Sequence, residues 1–147
     1  MKLVIVELDE QGRSSAAASR VVGDDADAPA EGGFAVQDLW VTAGHPPPPV
    51  PQPSTLEVAD VGAPPGGTRW LRVRAEPGAT YGMHRSDTVD YDVVLDGQLD
   101  LLLEDGEITL HPGDAVLLRG HVHGWRGGPQ GAAYAVVLLS AVAAPEG

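Results

Sequence analysis

Two short windows hold the residues of this chain that could do chemistry together. The first reads GATYGMHRSDTVDYDVVLDG (residues 78–97) and the second GEITLHPGDAVLLRGHVHGW (residues 106–125). In extended backbone, alternate side chains share a face. His84 and Ser86 then point one way, Asp90 and Asp92 share a face, and His121, His123 and Trp125 share another. If the segments pair into a barrel, His84, Asp90 and His123 converge. Two imidazoles and a carboxylate suit one divalent metal ion, Zn(II), Fe(II), Ni(II) or Mn(II). Asp92, a carboxylate in an apolar strand, is a candidate general base. His121 supplies a further imidazole, and Tyr81 joins these two as a candidate for moving a proton. Met83, Ser86, Arg119 and Trp125 are expected to line a substrate pocket. Arg85 and Arg119 at its rim would attract a carboxylate.

Short strands must position these residues. Glycine (19) and proline (13) together make up about 22% of the 147 residues, against a usual figure near ~12%. That density of turn-formers argues against a helical bundle. Residues 1–9 read as a strand, 10–33 as an irregular arm, and 34–41 as a second strand. The run PPPPVPQP (46–53) reads as a stiff polyproline spacer. From residue 55 the pattern becomes regular. TRWLRVRA (68–75) alternates as a strand with one buried face. Asp96-Gly97 signals a hairpin turn between strands at 89–95 and 99–103. Further turns fall at Asp105-Gly106 and Pro112-Gly113-Asp114, and YAVVLLS (134–140) reads as a last, buried strand. Eight or nine short strands and no amphipathic helix predict an all-β protein, an antiparallel barrel or double-sheet jelly roll with an irregular N-terminal arm. Residues 1–54 are expected to pack on the barrel as strand, arm and spacer. Residues 55–141 form the barrel and 142–147 a tail.

Composition narrows the partners. The formal net charge is −12, from 9 basic and 21 acidic side chains. Such a surface repels phosphate backbones and anionic lipid, so nucleic acid and membranes are not expected partners. There is no cysteine, which removes disulfides, thiolate metal sites and thiol nucleophiles. MKLVIVELDE lacks the features of a secretory signal, and no apolar run reaches the ~18–20 residues of a membrane span. The expected location is the cytoplasm. No phosphate loop, dinucleotide fingerprint or nucleophile elbow is present.

The two windows resemble the motifs of the cupin superfamily. In the first, Gly78, five residues, His84, then Asp90 at the usual Glu position, six residues and Gly97 follow the family pattern, with Ser86 where a second His belongs. In the second, Gly106, five residues, Pro112, Gly113-Asp114 and His123 match, with Gly127 in place of the terminal Asn. The strings MHRSDTVDYDVVLDG, LHPGD and RGHVHGW look like a subgroup of small single-domain cupins found among natural-product tailoring enzymes, especially for polyketides. That subgroup usually reads MHRTDTVDY and RGTNHAW. The resemblance covers residues 55–140. It implies a metal-binding barrel acting on a small oxygenated or aromatic metabolite, with decarboxylation, dehydration, cyclisation and ring oxidation among the reactions of such relatives. Of these the enolate reactions, decarboxylation, dehydration or cyclisation, are the expected ones. It also implies a homodimer joined through the N-terminal arm. An Fe(II) dioxygenase on the same residues is one alternative. A metal-free ligand-binding barrel is the other, and Ser86 is the residue that favours it.

Overall fold

The computed structural model describes residues 2–21 and 62–141. The strand expected at 34–41, the proline spacer, the start of the barrel at 55–61 and the tail lie outside the described residues. The described chain is strand throughout, connected by turns: β1 (Lys2–Leu8), β2 (Ser14–Val21), β3 (Thr68–Ala75), β4 (Thr80–His84), β5 (Thr88–Leu103), β6 (Gly106–Leu110), β7 (Ala115–Arg119) and β8 (His123–Ser140). Among the described residues the sheet runs β2-β1-β7-β5-β8-β3, with β4 joined to β8 and β6 to β5, and the path does not close on itself. All pairings are antiparallel except β1 with β7, which is parallel and makes the sheet mixed.

Two details differ from the sequence reading. The arm expected to be irregular over residues 10–33 contributes a strand at 14–21. Asp9 makes this possible: its carboxylate accepts the backbone N–H groups of Gln11 and Arg13, closing a turn that folds β2 back on β1. The Asp96-Gly97 pair is not a hairpin turn either. β5 runs through it for 16 residues and β8 runs alongside for 18, with register shifts at Val94/Asp96 and Gly97/Leu99. Gly97 has φ +74° and sits against Gly131, φ +78°. A side chain at Gly97 would overlap the Gly131 carbonyl oxygen. The positive-φ residue that makes a good turn here bends two long strands together instead.

That bend lets β5 and β8 serve both halves of the fold. The first half of β5 lies between β7 and the end of β8, while its second half lies between β6 and the start of β8. One apolar core joins them through Val4, Val6, Leu99, Leu101, Leu110 and Leu118. Each such buried side chain contributes about 1.5–3 kcal/mol. β3 alternates as expected, but its large aromatic faces outward: Leu71, Val73 and Ala75 turn to the core, and Trp70 is 81% exposed.

Candidate active site

β4 brings His84 opposite His123, the first residue of β8. The ring centroids are 4.4 Å apart and the planes tilted by 55°. Each ring is oriented by a backbone carbonyl. His84 Nδ1 donates to the Gly82 oxygen at 2.9 Å, and His123 Nδ1 donates to the His121 oxygen at 2.9 Å. Both Nε2 edges are thereby left for a ligand. Burial pushes the His123 imidazole down to about 4, and the nearby His84 and His121 rings push the same way. At neutral pH His123 therefore presents an Nε2 lone pair.

The alternation of β5 places Asp90 and Asp92 on the same inward face, both buried. The Thr88 hydroxyl donates to Asp90 Oδ1 and makes a second contact, 2.8 Å, with the Ser86 hydroxyl. Burial raises the Asp90 carboxyl above its ordinary range, against the Thr88 bond and the His84 ring, which lower it. Asp92 is raised well above that range by burial and by the Asp90 charge, and among the described residues its Oδ2 has no hydrogen-bond partner. A buried carboxyl oxygen with no protein partner is costly unless a ligand satisfies it.

These four groups open on one cavity of about 330 Å³, within the usual size range of small-molecule sites. Trp125 follows His123 on the same face, with its ring 5.7 Å from the imidazole and 5.3 Å from Tyr134. Leu71, Val73, Val136 and Leu138 complete the apolar walls. Tyr134 is a pocket residue that the motif reading missed. Its spacing of two and four residues from Val136 and Leu138 in YAVVLLS carried the signal. Its phenol is pushed up by burial, then by the Asp92 and Tyr81 charges, and stays protonated.

The remaining candidates are distributed as follows. Tyr81 joins the site, edge-on to His84 at 4.6 Å. A register shift between Tyr81 and His84 breaks the strict alternation and turns both inward. Met83 is exposed and does not line the cavity, and Ser86 lies outside it, on the far side of His84. His121 precedes β8, so strand parity does not govern it. Its Nδ1 accepts the Arg119 backbone N–H at 3.1 Å, and burial together with the Arg119 charge lowers its pKa. Arg119 binds Glu7 at 2.6 Å and does not line the cavity.

His84, His123 and Asp90 are of the residue types that a divalent ion favouring nitrogen and oxygen ligands takes. Two imidazoles stand side by side with their Nε2 edges available, and Asp90 lines the same cavity. Among the described residues, no group of three or more His, Asp or Glu side chains is placed so as to hold a metal ion.

The all-strand fold with both sequence windows arranged around one pocket agrees with the cupin-type barrel that the resemblance of the two windows implies. No protein-family model matches the chain. It is 46% identical over 63 residues to the Phomopsin biosynthesis cluster protein C' of Diaporthe leptostromiformis, covering 42% of this chain and 33% of that one. It is 43% identical over 63 residues to the Oryzines biosynthesis cluster protein J of Aspergillus oryzae, covering 42% and 35%. The match thus spans about a third of the length of these curated relatives. Similar solved structures include a cupin-2 domain containing protein from Shewanella frigidimarina (20% identity, TM-score 0.42, 48% of this chain and 68% of that one). KdgF from Halomonas sp. is another (23%, TM-score 0.45, 54% and 74%). Among the described residues no helix is long and apolar enough to cross a membrane.

Proposed function

We propose that this chain is an enzyme of secondary metabolism. In this reading it acts on a small oxygenated or aromatic metabolite in the inner cavity and catalyses proton transfer beside a carbonyl, as in decarboxylation, dehydration or cyclisation. The observation that carries the reading is the meeting of His84, His123, Asp90 and Asp92 at the polar end of one apolar cavity. The relatives named for phomopsin and oryzines biosynthesis clusters support the setting. The cytoplasm is the proposed location and a homodimer the proposed assembly.

Each side chain has a role that follows from its surroundings. The apolar walls hold the substrate body and exclude water, which strengthens every polar contact inside. His123, held in one tautomer by the His121 carbonyl, presents Nε2 to the ion when metal is bound, and is the proton acceptor only in a metal-free site. Asp92, whose carboxyl burial raises well above its ordinary range, moves the proton between its unpartnered oxygen and the substrate. Tyr81 and the protonated Tyr134 give further donors. A divalent ion held by His84, His123 and Asp90 would supply Lewis-acid polarisation of the substrate oxygen on which negative charge develops.

Metal content per chain, measured by mass spectrometry on untagged protein purified without chelator, tests the metal part. Wild type is expected to carry close to one ion, and His84→Ala and His123→Ala to lose it. If the ion is iron and turnover requires O2, the dioxygenase alternative takes over. If wild type binds no metal, and none on soaking, the metal-dependent reading fails and the barrel is an acid–base catalyst or a ligand cup.

A further inference from the structure

The inner cavity has a neighbour of different character. A second cavity, of about 440 Å³, lies on the other side of Tyr81 and His84, and these two residues line both. The walls of the inner cavity are mostly aliphatic and aromatic, with Arg74 and Glu76 among them, while the outer one sets Arg85, Asp87 and the hydroxyl residues Ser86 and Thr88 beside Gly62, Ala63 and Pro65. A molecule crossing the His84–Tyr81 divide would have an apolar end and a polar end.

Arg85 decides what that polar end is. Arg119 is held by Glu7 at 2.6 Å and Arg126 by Asp100 at 2.8 Å. Among the described residues Arg85 forms no ion pair, and the neighbouring Asp87 does not bridge to it. A guanidinium presents a planar fork of donors that matches a carboxylate with two parallel bonds. One guanidinium beside an acidic neighbour, on a chain of net charge −12, suits a single negative charge better than a dianionic phosphate.

We propose that the outer cavity is a carboxylate subsite: the ligand lays its apolar body in the inner cavity and its carboxylate on Arg85, with the bonds between them beside His84 and Tyr81. This rests on the inner cavity being the substrate site, and it narrows the substrate to an aryl or alkyl carboxylic acid that spans both.

Three probes of one shape test it on the intact chain: 4-phenylbutanoate, 4-phenylbutanamide and 4-phenylbutylamine, with Kd read by titration calorimetry. The carboxylate is expected to bind about tenfold tighter than the amide, the scale of one charge-assisted pair. Arg85→Gln should abolish that preference and leave the amide Kd within about twofold. Arg72→Gln, at an exposed position on β3, should keep it. Equal binding of acid and amide by wild type, a preference that survives in Arg85→Gln or is lost equally in Arg72→Gln, or tighter binding of the amine would overturn the subsite and leave the inner cavity standing. If no probe binds, both readings fall.

Discussion

His84 and His123 are cross-strand partners whose rings lie 4.4 Å apart, although one closes a five-residue strand and the other opens an eighteen-residue one. Their meeting depends on the register shift between Tyr81 and His84. Without it, alternation would put Tyr81 and His84 on opposite faces. Gly124 allows the close approach, because a side chain there would come within 2.9 Å of the Tyr81 carbonyl oxygen.

Thr88→Val will cost about 1–3 kcal/mol, because it leaves the buried Asp90 Oδ1 without its donor at nearly unchanged side-chain volume. Thr88 is 2% exposed and its hydroxyl contacts both Ser86 and Asp90. Denaturant unfolding should show a lower midpoint at constant m-value, and Thr88→Ser should keep most of the stability. A midpoint for Thr88→Val equal to wild type would show that the hydroxyl bridge contributes nothing.

Two buried aspartates should act on stability at opposite ends of the pH scale. Asp92 has a folded pKa raised well above 3.8, by burial first and by the Asp90 charge second. Its favourable contribution is complete below 3.8 and is lost as pH rises through the raised value. Asp100 is lowered, because bonds from Thr109 and Arg126 outweigh its burial. Its contribution is complete above 3.8 and is lost as pH falls through the lowered value. In thermal melts from pH 3 to 8, Asp92→Asn should melt higher than wild type at the alkaline end and show a flatter curve there. Asp100→Asn should melt lower at neutral pH, with the difference shrinking in acid.

Gly97→Ala will cost about 2–4 kcal/mol, the sum of a left-handed backbone and a clash with the Gly131 carbonyl. Gly12→Ala is the control. It has a similar φ of +73° but open space around it, so about 1 kcal/mol is expected. Chemical denaturation of both variants compares them, and equal losses would rule out a packing role for the β5–β8 bend.

Trp125→Ala will cost about 3 kcal/mol, the low end of the range for removing a buried aromatic, because one side of the ring already faces a cavity. Trp125→Phe should recover at least half of it in the same unfolding assay. Truncation without loss would mean that the ring lines the cavity without supporting the core.

The residues of the pocket were largely legible in order and parity. Asp90 and Asp92 share an inward face because a strand repeats every two residues, and the same rule put Trp125 beside His123. Parity could not place His121, which lies before β8 begins, and its ring turns back to the Arg119 backbone instead of entering the pocket. Nor did the pattern of TRWLRVRA separate Leu71 from Trp70: both are apolar, and only the position of β3 against β8 decides which of them meets the core.

The sequence by itself determined the class of structure and part of the cavity lining, namely Tyr81, His84, Asp90, Asp92, His123 and Trp125. Its dense glycine and proline, its period-two segments and its two spaced windows are local properties, and local sterics and burial fix their outcome. The tertiary structure decided how those pieces bend and meet. Asp96-Gly97 became a bend and not a turn because β8 offered a matching glycine across the ladder. Ser86 left the inner pocket for a second cavity because the chain turns after His84. Asp92 kept an oxygen unpartnered among the described residues because the strands around it supply no donor. Each of these depends on contacts between residues far apart in the chain, which no window of the sequence contains.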